Sequence, residues 1–68
     1  MSNVDNVMIE VHELEAEFAA GNLSASEYKE LLKNLQSTKV IEAAAGDLKV
    51  LSQLNEIITG LIAIASAV

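Results

Sequence analysis

At 68 residues, with no cysteine and one histidine, the chain has room for a single domain and no disulfide or plausible structural metal to brace it. A core this small rarely supplies more than about 3–5 kcal/mol, so association with copies of itself, or docking on a partner, is the expected support. Four Lys and Arg against ten Asp and Glu leave a net charge of −6, which repels nucleic-acid phosphates and anionic lipid surfaces; the 51% of apolar residues argues against disorder.

The first element is expected over residues 4–20. Val4, Val7, Val11, Leu14 and Phe18 recur at spacings of three and four, with Met8 widening the stripe, which is one face of a helix. Glu10, Glu13 and Glu17 fall away from that face. Asn3 or Asp5 is placed to cap its start, and Gly21 is placed to end it in the left-handed conformation. No basic stretch or long apolar run occupies residues 1–10, so no secretory signal is read there, and a cytoplasmic or virion setting is expected.

A second helix opens at Ser24. Ser24 with Glu27 three residues later fits a capping box, and Leu23 with Tyr28 fits the hydrophobic staple that accompanies one. Tyr28, Leu31, Leu32 and Leu35 then make its stripe. The short link around Gly21 predicts an antiparallel hairpin whose core is Val7, Val11, Leu14 and Phe18 against Tyr28, Leu31, Leu32 and Leu35. At 100° per residue, Val40 and Ile41 fall off the second stripe, so a break is expected near Ser37 and Thr38, either of which can cap the next helix.

From Val40 the apolar phase holds through Ala44, Leu48, Leu51, Leu54, Ile58, Leu61, Ile62 and Ala65 without a jump at Gly46. That predicts one helix of nearly thirty residues, about 43 Å long. In the alternative, Gly46 ends one helix and Asp47 caps another, since glycine inside a helix costs roughly 1 kcal/mol against alanine. The expected organisation is therefore all-α: an acidic hairpin over residues 1–36, then a long apolar helix over residues 37–68, forming one structural unit and a coiled-coil or bundle oligomer.

After Glu56 no side chain is charged. Large residues cover one face, while Ile57 and Ile64 lie around the back beside Gly60, Ala63 and Ala67. A helix that is apolar all round is buried on every side or sits in lipid. A spanning helix needs about 20 apolar residues; the run from Ile57 to Val68 has twelve. A membrane is therefore the weaker expectation, and the small residues suggest close approach of other helices. Leu51, Leu54, Ile58, Leu61, Ala65 and Val68 repeat like a coiled-coil seam. With Leu48, Ile57, Gly60, Ile62 and Ile64 they form the expected contact surface with a second copy or another helical protein.

Candidate chemistry does not survive the same reading. His12-Glu13 resembles the start of a zinc-protease helix motif, but the second histidine it needs is Ala16 here. Glu13 and Glu17 share a face, yet two carboxylates make a poor cation site. Glu15 falls inside the apolar stripe, where Lys29, Lys33 or a lysine from another chain would neutralise it. No catalytic residue, cofactor or metal is expected, and no nucleic-acid partner.

Residues 13–32, Glu-Leu-Glu-Ala-Glu-Phe-Ala-Ala-Gly-Asn-Leu-Ser-Ala-Ser-Glu-Tyr-Lys-Glu-Leu-Leu, resemble the short helical-hairpin module called the SHOCT domain: a leucine-bearing helix, a glycine turn, a Ser/Thr cap, Glu-Tyr/Phe, and a leucine-rich helix. The resemblance covers under a third of the chain and implies an oligomerisation or docking hairpin without enzymatic activity. This sequence differs in placing the hairpin near its N-terminus, ahead of a long apolar helix. The expected role is a non-enzymatic assembly protein, in a complex such as a phage virion or tail. A membrane-active protein inserting its C-terminal helix, or a small inhibitor or chaperone-like binder, is the alternative.

Overall fold

A computed structural model describes residues 3–67 and is all-α, with no strand among them. Helix α1 (Asn3–Ala19) turns Val7 and Val11 inward, and Asp5 sits in its first turn, where a carboxylate suits the helix dipole. It ends as expected at Gly21. The Asn22 amide donates to the Glu17 carbonyl at 2.9 Å and the Gly21 amide to that of Phe18 at 3.1 Å, with Gly21 at φ +82°. These two bonds make a Schellman motif, and the left-handed step at its centre is one glycine takes without a Cβ clash.

Helix α2 (Ala25–Ser37) opens on the expected capping box. The Glu27 amide donates to Ser24 Oγ at 3.1 Å, and the Ser24 amide donates to Glu27 Oε1 at 3.0 Å. Leu23 is half-buried against the core cluster that holds Tyr28, the arrangement a staple requires. The helix stops at Thr38, whose amide and hydroxyl both donate to the Asn34 carbonyl, at 3.1 and 2.6 Å, while Ser37 Oγ donates there at 3.2 Å. The break falls where the phase placed it. Neither hydroxyl caps the next helix, however, because both turn back to close the preceding one.

The C-terminal half corrects an expectation: it is two helices, α3 (Lys39–Ala44) and α4 (Leu48–Ser66). Ala45 (φ +50°) and Gly46 (φ +85°) are both left-handed, and Asp47 Oδ1 accepts from the Lys49 and Val50 amides at 3.0 and 3.4 Å to start α4. An unbroken rod of about 43 Å would overrun a molecule measuring 34 × 23 × 14 Å. Breaking the rod lets Val40 and Ala44 close on one part of the core while Leu54, Ile58 and Ala65 pack on another.

Helices α2 and α3 each touch all the other helices, and α1 and α4 meet least. The four most completely buried large side chains come one from each helix: Val11, Leu32, Val40 and Ile58. No polar or charged residue is buried among the described residues. The shortest dimension, 14 Å, holds two helix layers at the usual 8–10 Å spacing and no more. Every helix therefore keeps an outward face.

Candidate functional site

The geometry of α4 divides the expected contact surface in two. Leu54, Ile58 and Ala65 face inward and are buried, with Leu51, Leu61 and Ile62 half-buried against the same core. The seam expected to meet another chain is thus largely covered by this chain's own helices, because a three-four stripe looks the same whichever helix it packs on. Val68 lies outside the described residues. Leu48 is 78% exposed at the start of α4, away from the remaining contacts.

What α4 leaves open is a second row that the sequence reading did not isolate. Gln53, Ile57, Gly60, Ile64 and Ala67 follow spacings of four, three, four and three, again a seam pattern, and all five are exposed. Ile57 is 43% and Ile64 65% exposed. Between them Gly60 lies in open space, with nothing within 4 Å of where a Cβ would stand. The signal was present as the two isoleucines around the back of the helix. What holds α4 to the body is polar as well as apolar: Gln36 Nε2 donates to Thr59 Oγ1 at 3.0 Å and to the Asn55 carbonyl at 3.5 Å. By length and composition α4 is also long and apolar enough to cross a membrane, with 19 residues at mean hydropathy 1.4. The twelve uncharged residues after Glu56 therefore understate it.

The hairpin core is found where expected with two qualifications. Val7, Val11, Tyr28, Leu32 and Leu35 are buried, whereas Leu14 and Phe18 are half-buried. Leu31 is corrected: it is 37% exposed, because it lies at the edge of the α2 stripe. There it lines a concave groove of about 610 Å³ with Leu14, Ala16 and Leu35. Glu10, Glu13 and Glu17 border this groove together with Asn34, Thr38 and Lys39. The acidic face of α1 is a groove wall, not a fully solvated back.

Glu15 has a histidine neighbour on its own helix, in place of Lys29 or Lys33: its Oε1 is 3.5 Å from Nδ1 of the largely exposed His12. Burial, and secondarily the charge of Glu15, raises the Tyr28 hydroxyl above the ordinary tyrosine range. No three His, Asp or Glu residues gather into a possible metal set among the described residues.

No protein-family model matches the chain, and neither a curated protein nor a solved structure is significantly similar to it.

Proposed function

We propose that the chain is a non-enzymatic helical assembly protein that associates through the outer row of α4, with copies of itself or with a second helical protein. One observation carries this reading: Ile57 and Ile64 stand two turns apart on one exposed face, with glycine between them and Ala67 beyond. Isoleucines on a seam with a small residue between them let a facing helix come close and cover both side chains.

The magnitude is modest. With Leu54, Ile58 and Ala65 already inside the chain, the remaining exposed part of each outer isoleucine is worth about 1–2 kcal/mol on burial. A symmetric pair doubles that sum, which reaches only the lower end of the ~4–15 kcal/mol cost of association. Pairwise contact is therefore weak, and several copies, or a larger partner surface, make the stable assembly. A particle with many repeated parts, such as a phage virion or tail, suits such a component. The resemblance of residues 13–32 to an oligomerisation hairpin supports the same class of role.

Sedimentation equilibrium tests it. The parent chain is expected to show concentration-dependent association. The pair Ile57→Asp and Ile64→Asp is expected to keep its helical circular dichroism while losing that association. A parent that stays monomeric up to millimolar concentration, with no helical partner bound, overturns the reading.

A second reading, insertion of α4 into a bilayer, is favoured by its length: 19 residues rise about 28 Å, close to the ~30 Å hydrocarbon core. Against it, Lys49 and Glu56 lie within the helix, and its inward face completes the core. Flotation with phosphatidylcholine vesicles separates the two, since the assembly reading expects the chain to remain in the dense fraction.

A further inference from the structure

The groove between α1 and α2 is independent of the α4 face, and its chemistry identifies an occupant. Its floor is apolar: Leu14, Leu35 and Leu31, the one hairpin-core leucine that the fold leaves exposed. Glu10, Glu13 and Glu17 run along one wall at spacings of three and four, so their carboxylates form a single ridge about 10 Å long. The cation bordering the groove is Lys39.

This arrangement runs against the local needs of α1. Like charges three and four residues apart repel one another along a helix. The negative end of the helix dipole favours cations in the last turn, yet the last turn of α1 carries no basic residue and includes Glu17. Asn22 Nδ2 donates to Glu17 Oε2 at 3.1 Å, a neutral bond that leaves the charge in place. A local rule broken with Lys39 alone among the lining residues to offset three carboxylates points to a need outside the fold. A second copy of the chain is a poor candidate for this groove, because each copy carries a net charge of −6.

We propose that this groove docks an amphipathic helix of a basic partner protein. Leucine-type residues of that helix would sit on Leu14, Leu31 and Leu35, and its Lys or Arg side chains would lie along the Glu10–Glu13–Glu17 ridge. The mode is helix-in-groove, with charge setting orientation and encounter rate and the leucines supplying the desolvated contact.

The test uses the full chain, isotopically labelled, titrated with a synthetic lysine–leucine amphipathic helical peptide and with a glutamate–leucine peptide of the same pattern. The basic peptide is expected to bind saturably, with amide shifts centred on Glu13, Leu14, Leu31 and Asn34, and the acidic peptide not to bind. Replacing the ridge by Glu10→Gln, Glu13→Gln and Glu17→Gln is expected to weaken binding about tenfold or more, as loss of several interface charges does. Glu30→Gln, Glu42→Gln and Glu56→Gln together give the same net charge with the ridge intact, and should stay within about twofold of the parent by the same reasoning. Leu31→Asp, at an exposed position, should abolish binding while the chain stays folded. The proposal is overturned by absence of saturable binding, by equal weakening in the two triple variants, or by shifts that map to Ile57 and Ile64 instead of the groove.

Discussion

Phe18 and Tyr28 lie face to face, ring centroids 4.5 Å apart and planes 10° from parallel, and so clamp the end of α1 to the start of α2 across the glycine turn. They are the chain's two aromatic residues, and the stack joins an almost wholly buried ring, Tyr28, to a half-buried one. Phe18→Ala is expected to cost about 2–3 kcal/mol, below the figure for a fully buried phenylalanine because part of the ring is already wet. Phe18→Leu keeps most of the apolar contact and isolates the stacking, at about 1 kcal/mol. Urea denaturation followed at 222 nm measures both. A Phe18→Leu variant as stable as the parent would mean that the stack adds nothing beyond its area.

The same tyrosine makes the fold sensitive to alkali. Burial first, and Glu15 second, raise its hydroxyl above the ordinary value. In the unfolded chain it ionises near pH 10, while in the folded chain it holds its proton to higher pH. Above the unfolded value the unfolded state binds fewer protons, so its contribution to stability is complete below about pH 10 and declines as pH rises towards the folded value. Thermal melts between pH 8 and 11 should show that decline in the parent and a flatter profile in Tyr28→Phe. Parallel profiles would assign the alkaline loss to other groups.

Acid acts in the capping box of α2, at the residue before Tyr28. The Ser24 amide and hydroxyl hold the Glu27 carboxyl below its ordinary value. A depressed folded value gives stability that is present above the unfolded range and is lost as pH falls through the folded one. Ser24→Ala is expected to cost about 1 kcal/mol at neutral pH through loss of the cap. Its deficit against the parent should narrow in melts taken below about pH 4, where unpaired glutamates are protonated. A deficit constant from pH 7 to pH 2 would uncouple the carboxylate from the cap.

What was legible in the sequence was what neighbouring residues decide among themselves. The Ser24–Glu27 box, the stop at Gly21 and the loss of phase at Ser37-Thr38 are all local, and all three stand in the structure. The direction of the α4 stripe was not legible, because an apolar row records that it will be covered and not by which chain. Ile58 and Leu54 meet their own hairpin, and the acidic ridge of α1 faces a groove whose other side is made by α2, thirteen or more residues further on. Glu15 next to His12 is a rotamer-level fact that helix angles alone do not resolve.

The break at residues 45–47 is the sharpest case, since the apolar phase runs through it unbroken while Gly46 and Asp47 supply a stop and a cap, and packing decides between the two. Ala45 is the non-glycine residue held at positive φ among the described residues, at φ +50° and ψ +39°. Left-handed geometry costs an alanine roughly 1–2 kcal/mol, and glycine removes that cost while adding about 0.5–1 kcal/mol of unfolded-state entropy. Ala45→Gly is therefore expected to stabilise the chain by about 0.5–1 kcal/mol, a rise of several degrees in melting temperature for a chain this size. Gly46→Ala should lower stability by about 1 kcal/mol, even though nothing stands within 4 Å of the added methyl. In a continuous helix both signs reverse, because there glycine is the worse residue and alanine the better one by about 1 kcal/mol. Two melting curves thus decide between the hinge and the rod, and a destabilised Ala45→Gly together with a stabilised Gly46→Ala would restore the rod.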